Sequence, residues 1–217
     1  MAIELVESAP LRYLLSVPET KGDGEAAPVL CFLHGYDEGA PADIRAALTL
    51  HGPLRPGSAQ TATRDFIVVA PQLPGQGDLW HRHAEDVLRI VTGVRAAHGG
   101  DARRTYLTGF SFGGNGVFDL ALLQPETWAA LWAVDPTRVP RRDVGRPAWL
   151  SFGAVARRGK EAFIRALRLV PAADPIPDAD RLYLDEGQDH VGSAKLAYAD
   201  DRIYRWLLGR EMERPAA

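Results

Sequence analysis

Thr105-Tyr106-Leu107-Thr108 has the β-branched and aromatic make-up of a strand, and Phe112 to Leu123 has the apolar content of a helix. Only Gly109-Phe110-Ser111 separates them. So short a link makes the helix turn straight back over its strand, and a strand covered in this way belongs to a sheet packed against helices. Val29 to Leu33 and Phe66 to Ala70 are unbroken apolar runs, ended by His34-Gly35 and by Pro71. Such runs fit strands buried on both faces of a parallel sheet.

The rest of the chain keeps the same alternation. Leu11 to Val17 reads as an early strand closed by Pro18, and Lys21 to Ala27 as a polar turn. Ala84 to Ala97 is a helix, Ala129 to Val134 and Ala148 to Phe152 are strands, and Lys160 to Val170 is a helix. Arg181 to Leu184 is the last strand, and Ala194 to Leu208 the last amphipathic helix, with Gly209 at its end. The fold class is therefore α/β, with a mainly parallel central sheet and helices on both faces. The 217 residues suffice for one core, so residues 1–217 are read as a single domain. Ligands of such sheets sit at the carboxyl ends of the strands. The segments leaving those ends are Gly35 to Gly39, Pro71 to Asp86, Gly109 to Gly113, Asp135 to Val139 and Gly187 to Gly192.

A formal net charge of -3 and the lack of a basic run argue against nucleic acid as a partner. No segment reaches membrane-spanning length, and Met1 to Pro10, with Glu4 and Glu7, does not read as a secretory leader. A soluble cytoplasmic protein without a membrane partner is the expectation. Cys31, alone of its kind, excludes an internal disulfide and reads as a buried strand residue.

The turn Gly109-Phe110-Ser111-Phe112-Gly113 is a G-x-S-x-G pattern. By itself it is weak; after a strand and before a helix it is a nucleophile elbow. The serine is pushed forward in strained backbone, and the helix N-terminus aims free N–H groups at a developing oxyanion. A serine hydroxyl also needs a base. Of the six histidines, His51 and His98 read as plain surface or loop residues. His190 lies in the polar loop Glu186-Gly187-Gln188-Asp189-His190, between the last strand and the last helix. An unperturbed histidine titrates near pH ~6.5, which places the rise of activity with pH in that region.

With Leu33-His34-Gly35-Tyr36 after an early strand, the elbow at Ser111 and Asp189-His190 after the last strand, the sequence resembles the α/β-hydrolases. The likeness is to the small carboxylesterase and dienelactone-hydrolase-like branch, and it runs from roughly Leu11 to Leu208. It implies Ser111 as nucleophile, His190 as base, and the backbone N–H groups of Tyr36 and Phe112 as the oxyanion hole. It also implies a third residue, an acid, commonly placed after the strand at Ala148 to Phe152. Here that loop, Gly153 to Arg158, has no carboxylate. Some members carry the acid one strand earlier, where Asp135 stands. It is preferred to Glu161, which lies in a helix pattern, and to Asp189, whose backbone turns it from the His190 ring.

The imidazole of His34 is read as a packed group that shapes its loop. Trp80 and His81, in the long loop after Phe66 to Ala70, are candidate substrate-binding residues, although helix start and surface packing explain them equally well. His81-x-His83 lacks a third ligand at familiar spacing, so no metal and no cofactor are expected. Tyr36 to Ala62 is too short for a cap domain. The expected function is cleavage of a small-molecule carboxylic ester through an acyl-enzyme. The same machinery serves peptidases and thioesterases, and a non-catalytic binding protein of this fold stays open.

Overall fold

The computed structural model describes residues 2–7, 10–19 and 26–213. Most of the expected turn at Lys21 to Ala27 lies outside the described residues. Among those described, nine strands form one sheet: β1 (Ile3–Val6), β2 (Tyr13–Ser16), β3 (Ala27–Leu33), β4 (Ile67–Pro71), β5 (Gly100–Phe110), β6 (Ala130–Val134), β7 (Ala148–Phe152), β8 (Val170–Pro171) and β9 (Arg181–Asp185). Their order is β1-β2-β4-β3-β5-β6-β7-β9-β8. β1 and β2 run antiparallel at one edge, and the pairs from β4 to β8 are parallel.

The apolar runs are continuous because both faces of the sheet are covered. Along β3, Val29, Cys31 and Leu33 enter one core while Leu30 and Phe32 enter the other. β4 divides likewise, with Ile67 and Val69 on one side and Val68 and Ala70 on the other. Full burial of each Val, Leu, Ile or Phe side chain among these contributes about 1.5–3 kcal/mol. Helices α3 (Ala84–His98) and α4 (Phe112–Leu123) cover the first face through Val87, Val91, Val117 and Leu120. α1 (Ile44–Leu48), α2 (Thr61–Asp65), α6 (His190–Ala199) and α7 (Asp201–Leu208) cover the second. α5 (Lys160–Leu167) returns to the first face through Phe163.

Several boundaries differ from the sequence reading. The strand expected at Thr105 to Thr108 runs on to Phe110 and abuts Ser111. The helix expected to reach Val170 stops at Leu167, because Arg168 turns left-handed with φ 53°, and Val170–Pro171 then pairs with β9. The last helix is two. Asp200 is extended (φ -80°, ψ 101°), and its carboxylate accepts from the Arg202 amide to start α7. His190 is not a loop residue but opens α6, where the Asp189 carboxylate accepts from the Gly192 amide. β1 was not anticipated: an edge strand carrying a glutamate has no continuous apolar run.

The tight passage from β5 into α4 depends on Gly113. A Cβ there would collide with the Leu33 carbonyl at the end of β3. Gly113→Ala therefore forces two central elements apart. Urea unfolding is expected to show a loss of about 1–3 kcal/mol, and an unchanged midpoint would show that the elbow has room to spare.

Candidate active site

Ser111 stands alone between the last residue of β5 and the first of α4. Its backbone has φ 57° and ψ -115°, a conformation that L-residues avoid and that costs of order 1–3 kcal/mol. Its amide donates to the Val134 carbonyl at 3.0 Å, which ties the strained turn to β6. The turn brings the hydroxyl out at the carboxyl end of the sheet, as the G-x-S-x-G pattern implied.

Asp135 follows β6 directly and also has positive φ, 42°. It is fully buried, yet well partnered. Oδ1 accepts from the amides of Gly153 at 2.9 Å and Ala156 at 2.7 Å, and Oδ2 from that of Val155 at 3.3 Å. The loop after β7 lacks a carboxylate of its own and instead supplies N–H groups to the one arriving from β6. Oδ2 also lies 2.6 Å from Nδ1 of His190. Nε2 of His190 lies 2.9 Å from Oγ of Ser111. An ionised carboxylate only accepts, so Nδ1–H donates to Asp135 and Nε2 is left to accept the Ser111 hydroxyl proton. Ser111, His190 and Asp135 are thus brought together; Asp189 caps α6, and Glu161 sits in the first turn of α5.

The neighbouring loop holds Tyr36. His34 is buried; its Nε2 accepts from the Leu73 amide at 3.0 Å, so Nδ1 carries the proton and donates to the Gly35 carbonyl at 2.7 Å. Carbonyl and N–H point opposite ways in a trans peptide, so a grip on the Gly35 oxygen sets the direction of the Tyr36 N–H. Burial holds the His34 pKa down at about 4 and keeps this tautomer neutral. The Tyr36 ring packs edge-on against Phe112 at 5.0 Å. Neither the Tyr36 nor the Phe112 amide has a hydrogen-bond partner among the described residues.

Trp80, a candidate substrate-binding residue, lies mostly inside the fold. It is buried, donates from Nε1 to the His34 carbonyl at 3.1 Å, and packs on the His34 ring. It supports the loop from behind and also lines a cavity of about 220 Å³ with Phe112, Asn115 and Arg138. His81 is half exposed, with Nδ1 3.9 Å from Asp119. His83 is held by Asp78 at 2.8 Å, and the described residues contain no cluster of metal-ligating side chains.

Two residues near the site were not singled out from the sequence. His51, read as a surface or loop residue, is buried, its ring 4.7 Å from that of Phe110. The Phe110 ring lies 4.6 Å from that of His190. Burial, with the positive charges of His190, Arg55 and Lys195, lowers the His51 pKa to about 4. Its Nε2 is 3.5 Å from Glu38, a buried acid whose pKa is raised chiefly by desolvation. A carboxylate in Tyr36-Asp37-Glu38-Gly39 reads as a solvated turn, and nothing local marks its burial.

No family model and no curated protein sequence matches this chain. Solved structures do. A thermostable esterase is 19% identical, with a TM-score of 0.71 over 97% of this chain and 63% of its own. The chain thus spans under two thirds of that esterase's length. A protein described as a dienelactone hydrolase from Klebsiella pneumoniae is 20% identical (TM-score 0.63; 96% of this chain, 99% of its own). An S-formylglutathione hydrolase from Agrobacterium tumefaciens is 14% identical (TM-score 0.64; 95% and 94%). At such identities the likeness shows the fold, and the fold is that of the α/β-hydrolases.

The neutral, buried His34 has a consequence for stability. Its folded pKa lies below the 6.5 of the free group, so from pH 6.5 down to about 4 the unfolded chain binds a proton that the folded chain refuses. His34→Gln removes that titration. Whatever advantage the native protein holds over this variant is full above pH 6.5 and shrinks, by up to about 3 kcal/mol, as pH falls to about 4. Urea unfolding of both proteins at several pH values checks this; a constant difference would mean that His34 is not held neutral.

Proposed function

We propose that the chain is a serine hydrolase that cleaves carboxylic esters through an acyl-enzyme. The observation that carries this reading is the unbroken hydrogen-bond chain from Ser111 through His190 to Asp135, with links of 2.9 and 2.6 Å. Nε2 of His190 takes the proton as Ser111 Oγ attacks the ester carbonyl. Asp135 holds the ring in the tautomer that leaves Nε2 free and stabilises the imidazolium. The carbonyl oxygen becomes an oxyanion, and the N–H groups of Tyr36 and Phe112 are its donors. As the tetrahedral intermediate collapses, the imidazolium protonates the departing alkoxide. Water then repeats the sequence on the acyl-enzyme and frees the acid and the serine.

Shape supports a substrate class. The segment from His34 to the start of α2 carries only α1, and the His190 side chain is one-third exposed. Tyr36, at 49% exposure, stands at the rim. An open site of this kind suits short or mid-sized esters. The esterase and hydrolases that share the fold support the reaction class.

Ser111→Ala is expected to abolish both turnover of short-chain aryl esters and labelling by a fluorophosphonate probe, with the thermal midpoint retained; turnover at the native rate would end the proposal. Asp135→Asn keeps the size but favours the wrong His190 tautomer. Its kcat should fall roughly 10²- to 10⁴-fold, while Glu161→Gln loses little. Equal losses in the two variants would show that Asp135 has no special link to the base.

A further inference from the structure

Glu38 is an acid in the wrong solvent. Only 6% of it is exposed, and Oε2 has no hydrogen-bond partner among the described residues. Its place is close to the reacting centre. The point where a Cβ on Gly35 would sit is 2.9 Å from Glu38 Oε2 and 3.5 Å from Ser111 Cβ. Oε1 lies 3.5 Å from His51 Nε2, and the His51, Phe110 and His190 rings follow in series with centroids 4.7 and 4.6 Å apart. Carboxylate and imidazole therefore face each other across aromatic rings, a medium that screens poorly.

Resting on the reading of His190 as general base, we propose that Glu38 is a positioning residue for that base: a second carboxylate whose charge stabilises the His190 imidazolium across the His51–Phe110 stack. Asp135 leaves room for such help, because three backbone amides already share its charge. His51 does not neutralise the anion, since burial keeps its imidazole uncharged down to about pH 4. The other groups that bear on the pair are identifiable. Desolvation, the largest effect, and Asp37 oppose the Glu38 charge, while the amides of Glu38 and Gly35 and the His190 cation favour it. Arg55 and Lys195 face His51, Arg157 lies beyond Asp135, and Asp189 caps the helix that His190 begins.

A unit charge two rings away in a partly screened interior shifts a proton equilibrium by roughly half a unit to one unit. In Glu38→Gln the acid limb of kcat/KM should move to lower pH by that amount. The plateau kcat should fall about 3- to 10-fold with KM little changed. Glu38→Asp keeps the charge and should leave the limb in its native place. A limb that stays put in Glu38→Gln, or that moves equally in both variants, overturns the proposal. In the native protein the Glu38 carboxyl carbon, followed by NMR, must show a second step where His190 titrates; a single step is equally fatal, whether or not the variants fold. Fluorophosphonate labelling separates the two levels of inference. Normal labelling of Ser111 with an unmoved limb removes only the role of Glu38, whereas a native protein that resists the probe removes the hydrolase reading beneath it.

Discussion

The buried carboxylate of Asp135 is the point on which the site depends. It leaves β6 at positive φ, takes three amide hydrogen bonds from the loop after β7, and holds the first residue of α6 through His190. A fully buried anion is tolerable only with such partners, and each donor that lost this acceptor would itself be stranded out of water. Three elements far apart in sequence are therefore locked to one group. The His190 ring has little freedom to turn away, because its Nδ1 lies 2.6 Å from Oδ2 of a buried anion, the shortest of the contacts that Asp135 makes.

The elements that were legible in the sequence are those whose burial pattern is local. β3 and β4 are apolar throughout because both of their faces enter a core, and α4 begins where the elbow ends. What was missed depends on contacts made elsewhere. Asp200 reads as one more polar residue of an amphipathic helix; its turn into a cap separates α6 from α7. β1 is an edge strand with one partner, so no two-faced burial writes itself into its four residues.

The site divides along the same line. Ser111 and His190 stand where strand ends meet helix starts, positions that sequence order reveals. The place of Asp135 came from the absence of any acid between Gly153 and Arg158, and the structure gives that absence a reason: the loop serves as a donor set. His51 neighbours the site only in space, and Glu38, although close to Tyr36 in sequence, carries no local sign of its burial. A short acidic turn and a histidine among prolines and glycines look solvated until the fold closes over them.

Three histidines then show how environment, rather than residue type, assigns a task. His34 is enclosed, donates one proton to a carbonyl and accepts one from an amide, so both nitrogens are occupied and the ring is a rigid strut. His51 is enclosed but leaves Nδ1 without a partner among the described residues, and its Nε2 faces a carboxylate. His190 keeps one-third of its side chain in solvent, is gripped at Nδ1, and presents Nε2 to a hydroxyl. Only the last combines a fixed orientation with a nitrogen free to gain and lose a proton. Burial removes the same freedom from the other two, which lets them shape the site without competing for the proton that the proposed reaction moves.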